Sequence, residues 1–388
     1  MRTKLFDYST LAKTRKKLHQ HAELSGQEEK TADFLEEELK KLGIFELQTD
    51  LGGRGILATL DSQKPGPWVM FRSELDALPI EEENDFDHKS LTEGISHKCG
   101  HDGHMAILLG FAKGLKITGL SCGKVSLLFQ PAEETGEGAQ AMMDDPNWPH
   151  PSFDYVFALH NIPGFPLGHI AIKNGIFTPT VSSLSIHLKG KTSHAAEPEQ
   201  GINPDEAIAS LITALKSFEE RNLSSPDFFI VTTIYIHHGG KNYGISPAKA
   251  ELHFTLRCYD AEHMEKTKKS IEKQIKVICN HFGLKHRCNW FQEFQANNNE
   301  SYATDMIRRA SIENRFVLEE IEHPFRWGED FGRFTQKYPG AMFGLGAGLD
   351  CPALHQDTYD FPDKLIPYGV SMFSEILEGI QIKYHMVE

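Results

Sequence analysis

The chain has 388 residues, too many for one compact core and enough for two or three domains. Forty basic against fifty-four acidic side chains leave a net charge of -14, which excludes the broadly basic face that nucleic acid or an anionic membrane would want in its main partner. Hydrophobic residues at 40% exclude wholesale disorder, and no apolar run approaches the ~18 residues of a membrane helix.

The chain opens without the apolar segment of a secretory signal, so a cytoplasmic protein is expected. Six cysteines without compact disulfide spacing agree with a reducing compartment. Leu11, Leu18 and Leu24 suggest a first helix. Ser25 to Glu28 then has the pattern of a capping box, in which each end residue satisfies an orphan amide of the other. Phe34, Leu35, Leu39 and Leu42 recur at helical spacing until Gly43 stops the run. Apolar runs follow at 68–71, 125–129, 155–159 and 341–345, each ending in polar residues and separated by helical stretches such as 105–116. That alternation predicts an α/β layer with a largely parallel sheet.

Between about 180 and 290 the character changes. Leu184, Ile186 and Leu188 alternate with Ser183, Ser185 and His187, as in a half-buried strand. Asn203 and Pro204 open a helix. A β-rich run at 228–236, an alternating strand at 252–257, a charged helix at 262–281 and a short strand at 287–291 follow. The order β-α-β-β-α-β describes a ferredoxin-like open sandwich with helices on one face. The expected organisation is therefore a two-domain α/β chain: a first part of one domain at 1–178, an inserted α+β domain at 179–291, and the remainder of the first at 292–388.

The sharpest local signal is His97-Lys-Cys-Gly-His-Asp-Gly-His104, four ligands that suit zinc or a similar divalent ion, with glycines that let the backbone aim Cys99 and His101 at one point. His97 and His104 are further candidates. Glu133 and Glu134 stand beyond a strand; alone they read as an acidic turn, yet adjacent carboxylates on extended backbone diverge and can divide the work of ligand and base. His160 and His355 follow apolar runs, and Asp76 follows another. The glycine run at 344–348 lacks a following Lys-Ser/Thr and is no phosphate loop. Asp76, Glu133, Glu134, His160 and His355 all fall just past expected strand ends, the edge at which parallel sheets bind ligands. Their convergence points to a metal site.

With these residues in order, the chain resembles the M20 metallopeptidase and amidohydrolase family, in the branch of N-acyl-amino-acid amidohydrolases, hippurate hydrolases and auxin-conjugate hydrolases. The carriers are His-Ala-Glu-Leu before Ser25, Asp76-Ala-Leu-Pro79, Cys99-Gly-His-Asp-Gly-His104, Pro131-Ala-Glu-Glu134, Leu159-His-Asn161, Gly190-Lys-Thr-Ser-His-Ala-Ala-Glu-Pro198, Glu329-Asp-Phe331 and Leu354-His355. The resemblance implies two divalent ions per chain (Zn, Mn, Ni or Co) held by Cys99, His101, Glu134, His160 and His355, with Glu133 as general base; Asp76, close to them, would orient a ligand. It also implies a lid in the inserted domain, through which many relatives dimerise, and a lid histidine, His194, that polarises the scissile carbonyl. A homodimer through the lid is thus an outcome to test. Asn242 and Arg257, on or beside the lid, are candidates for binding a small-molecule amide substrate; Arg257 would suit its free carboxylate. Three positions depart from the family pattern: Glu74 where Asp is usual, Asn242-Tyr-Gly-Ile-Ser-Pro247 for Asn-Val-Ile-Pro, and Asn203-Pro204 for Asp-Pro.

The implied activity is hydrolysis of the amide bond of N-acyl amino acids or related conjugates. A dipeptidase or carboxypeptidase of the same superfamily is the alternative, and a non-catalytic metal-binding descendant a further one. No Gly-x-Ser-x-Gly elbow favours a serine hydrolase.

Overall fold

The structure is a computed structural model, and it describes residues 7–387. In chain order the elements are α1 (Tyr8–Gln20), α2 (Glu29–Leu42), β1 (Glu46–Leu51), β2 (Gly55–Asp61), β3 (Trp68–Glu74), α3 (His101–Thr118), β4 (Lys124–Gln130), α4 (Gly138–Asp144), β5 (Tyr155–Pro163), β6 (Ile170–Ile172) and β7 (Gly175–Thr178). Next come β8 (Thr180–Lys189), β9 (Ser193–His194), α5 (Asp205–Lys216), β10 (Phe229–His238), β11 (Ile245–Ser246), β12 (Lys249–Cys258), α6 (Ala261–His281) and β13 (Lys285–Phe294). The chain finishes with β14 (Asn297–Asn299), α7 (Ser301–Glu313), β15 (Leu318–Glu320), α8 (Gly332–Lys337), β16 (Gly340–Gly348) and α9 (Ile366–Val387).

These elements form two compact units. The first runs up to Phe177 and includes Asn297–Pro324 and the chain from Glu329 onward. Its eight-stranded sheet has the order β1-β2-β4-β3-β5-β16-β6-β15. The central strands β4, β3, β5 and β16 are mutually parallel, and antiparallel pairing occurs at β1–β2, β2–β4 and β16–β6. The apolar runs occupy the centre because their side chains are buried on both faces, as parallel strands require. Helix α3 is buried from His101 through Ala112. Gly103 lets Phe361 lie against it: a Cβ there would stand 2.3 Å from the ring. Fully buried Phe71, Phe157 and Leu108 belong to the same core. Burying a side chain of this size stabilises the fold by about 1.5–3 kcal/mol.

The second unit comprises Thr178–Ala296 with Phe325–Gly328. Its sheet order is β10-β12-β8-β13, all antiparallel. Leu184, Ile186 and Leu188 from β8 and Leu252, Phe254 and Leu256 from β12 share a core with Leu211 of α5 and Ile271 of α6. Period-two alternation places their polar neighbours on the opposite face. Strand β13 runs on to Phe294, which pairs with Val181, so this unit closes at Ala296.

Local expectations shift in three places. The first helix stops at Gln20, and Leu24 instead makes a bridge to Ala77. Ser25 and Glu28 do not form a capping box: Ser25 Oγ donates to Asp76 Oδ2 at 2.7 Å, while Glu28 Oε1 accepts from the amides of Gly26 (2.9 Å) and Ala132 (2.8 Å). A buried carboxylate without donors is expensive, so Asp76 claims the hydroxyl that a local cap would have used. Helix α5 starts after Pro204, with Asn203 Oδ1 accepting from Asp205 N at 3.1 Å.

Candidate metal centre

Strands β3 and β4 end at Glu74 and Gln130, and the turns beyond them carry Asp76, Glu133 and Glu134. Two expected placements differ. His160 lies within β5 rather than past it, because that strand continues to Pro163 beside β16. His355 lies in a loop well after β16, in the left-handed conformation (φ 67°), with its amide donating to Lys98 O at 2.8 Å. Ala132 is also left-handed (φ 50°), and such strained residues gather at functional sites. Gly100 precedes α3 with φ 99°, and a Cβ there would stand 2.5 Å from Asn161 Oδ1. Only glycine fits that conformation and that space, and it presents Cys99 and His101 together at the helix start.

Five side chains converge. The ligand atoms of Cys99, His101 and His160 all lie within 4.8 Å of one another, and so do those of Cys99, Glu134 and His355. Cys99 belongs to both triads, with its Sγ 3.5 Å from His160 Nε2. His101 Nε2 stands 3.9 Å from both Glu134 Oε1 and Glu133 Oε2, and His355 Nε2 is 3.7 Å from Glu134 Oε2. Cys99, His101, Glu133 and His160 are buried, whereas the His355 side chain is 51% exposed.

The far side of each buried ring is occupied. His101 Nδ1 bonds Asp76 O at 2.9 Å and lies 3.3 Å from Asp76 Oδ1; His160 Nδ1 bonds Asn161 O at 2.9 Å. This is how ligating imidazoles are oriented. Asp76 is itself fixed by Ser25 and by the amide of Glu134 (2.9 Å). His101 Nε2 and Glu134 Oε1 are buried and have no hydrogen-bond partner. Divalent ions held by the two triads would give each of these atoms a partner. The donor set of thiol, imidazole and carboxylate suits a borderline-soft divalent ion.

The electrostatics agree. Burial, then the Glu134 and Glu133 carboxylates, push the Cys99 thiol well above its usual range. Burial also raises Glu134 to about 7, and with the help of Glu329, Glu134 and Asp330 it holds Glu133 well above the usual carboxylate range. At His101 burial alone would lower the value, but Asp76 and Glu74 outweigh it and lift it to about 10. Without a cation, Cys99, Glu134 and His101 hold protons that a divalent ion would displace.

Neighbouring groups define the limits of the cluster. Both nitrogens of His104 are taken, by Glu74 Oε2 (2.8 Å) and Asn161 Oδ1 (2.6 Å), so this histidine braces the site. His97 is buried near His19, with ring centroids 6.1 Å apart, outside the metal-competent triads. Glu74 joins His104 to the buried Arg72, which also holds Glu329 (3.0 Å), Asp330 (2.7 Å) and Gln130 (2.9 Å). Sequence reasoning passed over Arg72. Its signal was a charged residue directly following the apolar run at 68–71, which reads as a fully buried strand. Arg15, His19, Glu82 and Lys98 were missed as well: His19 bridges Asp102 (2.9 Å) and Glu82 (3.0 Å), and Lys98 pairs with Glu82 at 2.5 Å.

The remaining candidates lie in the second unit. His194 is exposed on β9, paired with Ile245 of β11, and its Nδ1 accepts from Ala196 N at 3.1 Å. Asn242 is exposed in a turn, with its amide donating to Gly240 O. Arg257 Nε donates to Arg326 O at 2.8 Å, and among the described residues Arg257 has no ion-pair partner.

A family model described as "Peptidase family M20/M25/M40" matches residues 70–379. An N-acetyl-L-cysteine deacetylase of Bacillus subtilis (strain 168) is 35% identical over 338 residues, 87% of this chain and 80% of that one. Thermostable carboxypeptidase 1 of Saccharolobus solfataricus is 33% identical over 337 residues, 86% of this chain and 84% of the other. Among solved structures, a dinuclear metal-binding peptidase of the M20 family from Bacillus subtilis superposes with a TM-score of 0.80 at 24% identity, covering 97% of this chain and 98% of its own.

Proposed function

The chain belongs to peptidase family M20/M25/M40, and from that membership we propose that it releases amino acids from N-acyl amino acids or related amide conjugates. It is a hydrolase of carbon–nitrogen amide bonds. The observation that carries the finer reading is the pair of triads sharing Cys99, with Glu133 standing beside both His101 and Glu134.

In this proposal Cys99, His101 and His160 hold one divalent ion and Cys99, Glu134 and His355 a second; Zn, Mn, Ni and Co all suit the donors. Ions bound there supply Lewis acidity, which acidifies water and polarises a carbonyl. Glu133 accepts a proton from the attacking water and returns it to the leaving amine. Its raised proton affinity in this pocket suits both transfers. Asp76 fixes the tautomer of His101 through Nδ1, leaving Nε2 to the ion. Arg257 and Asn242 are assigned to substrate recognition, Arg257 by a free carboxylate. His194 is carried over from the family resemblance as the group that assists the carbonyl.

The test is a panel of N-acetyl and N-benzoyl amino acids against dipeptides, with each metal supplied in turn and a chelator control. Faster turnover of dipeptides would favour the carboxypeptidase or dipeptidase reading, which the similarity to the Saccharolobus enzyme supports. No chelator-sensitive hydrolysis of either class would leave the non-catalytic reading.

Strand β10 is an edge strand of its sheet and exposes Ile234 (61%), Tyr235 and Ile236. An apolar edge of this length invites pairing, and we assign it to a homodimer contact; light scattering showing a monomer at working concentration would overturn that. No helix among the described residues is long and apolar enough to cross a membrane. All six cysteines are unpaired, which supports a cytoplasmic location.

A further inference from the structure

The Glu329-Asp330-Phe331 motif has no part in the chemistry above, yet it touches the proposed base. We propose that Asp330 is a positioning residue that aims Glu133, and this rests on Glu133 being the base. The Asp330 carboxylate is buried and immobilised at both oxygens. Oδ1 accepts from Arg72 Nη2 at 2.7 Å and Gln130 Nε2 at 2.8 Å, and Oδ2 accepts from Gln130 Nε2 at 2.8 Å and Ala139 N at 2.9 Å. Arg72 is locked in turn by Glu74 and by Glu329, whose Oε1 also accepts from Phe331 N at 3.0 Å.

The result is a rigid turn whose own amide is directed at the base: Asp330 N donates to Glu133 Oε1 at 3.3 Å. With Oε1 held, Oε2 is the oxygen turned towards His101 Nε2, 3.9 Å away, on the metal-binding side. One carboxylate oxygen is anchored and the other presented. The backbone on the opposite flank is constrained as well, because Ala132 is left-handed and its amide is held by Glu28. A carboxylate whose neighbours are Glu134, Glu329 and Asp330 would swing away from them if nothing held it, and the Asp330 amide is the donor that does.

The experiment uses the metal-loaded full chain. Asp330→Ala frees the turn without touching a proposed ligand, and is expected to lower kcat by about 100-fold, the scale of a misplaced catalytic group, with KM and metal content at wild-type values. Asp330→Asn keeps the shape and one acceptor oxygen, and is expected to lose about tenfold; it decides the matter if the alanine variant does not fold. In a Glu133→Gln background either change should cause no further loss, because an effect acting through Glu133 vanishes with it. Wild-type kcat in Asp330→Asn, an equal fold-loss in the Glu133→Gln background, or loss of metal along with activity would each overturn the inference. Wild-type turnover by Glu133→Gln alone would instead remove the base assignment.

Discussion

Glu133→Gln separates the proposed base from the proposed ligands. Glutamine has the same shape and keeps an oxygen for the Asp330 amide, so the surrounding turn has no reason to move. It leaves Cys99, His101, Glu134, His160 and His355 untouched and removes only the capacity to take a proton. General-base catalysis contributes about 10²–10⁴-fold, or about 2.7–5.5 kcal/mol of transition-state stabilisation. The expected result is a kcat reduced by that factor, with metal content by elemental analysis equal to wild type. Stability supplies a second readout. Burial, then Glu329, Glu134 and Asp330, hold the Glu133 carboxyl well above its ordinary 4.5 in the folded chain. A raised folded value favours the fold below the unfolded value, and that contribution is lost as pH rises toward the folded one. Glutamine has no such dependence, so metal-free Glu133→Gln should melt above metal-free wild type at mildly alkaline pH, with the gap closing as pH falls toward 4.5. Loss of metal together with activity would make Glu133 a ligand. Near-normal turnover would refute its role as base.

Metal uptake should release protons. His101 at about 10, Glu134 at about 7 and the elevated Cys99 thiol must be deprotonated to bind, so affinity should rise by about tenfold per pH unit for each proton displaced; chelator competition that is flat from about pH 6 to about pH 8 would contradict this. Gly100→Ala forces a Cβ to 2.5 Å from Asn161 Oδ1 at a φ that costs an L-residue about 1–2 kcal/mol. The variant should fold by circular dichroism but bind metal poorly, and normal metal content would show that the turn tolerates a side chain. His194→Ala should lower kcat by about 100-fold while leaving metal content intact, and a variant that turns over like wild type would end the proposed role of this histidine.

Much of the fold was legible because its signals are local. The apolar runs at 68–71, 125–129, 155–159 and 341–345 became the parallel centre of the large sheet, as uninterrupted burial on both faces demands. Period-two alternation in β8 and β12 marked a one-sided sheet backed by helices. The capping box failed for a reason no local window contains: Asp76, far along the chain, takes the Ser25 hydroxyl. His160 was expected past a strand end and lies inside one, since pairing with β16 prolongs β5.

Residue type and order alone determined which groups could ligate a cation and that they would gather on a parallel α/β sheet. Only the tertiary structure decided which atoms meet. It distinguished His101, whose Nε2 is left without a hydrogen-bond partner, from His104, whose two nitrogens are consumed. It also joined Arg72 to Asp330 across 258 positions and Ser25 to Asp76 across 51. Periodicity encodes which face a side chain takes within its own element. Partners at such separations are chosen by the requirement that each buried charge find a donor or counter-charge in the assembled core, and that requirement exists only once the chain has folded.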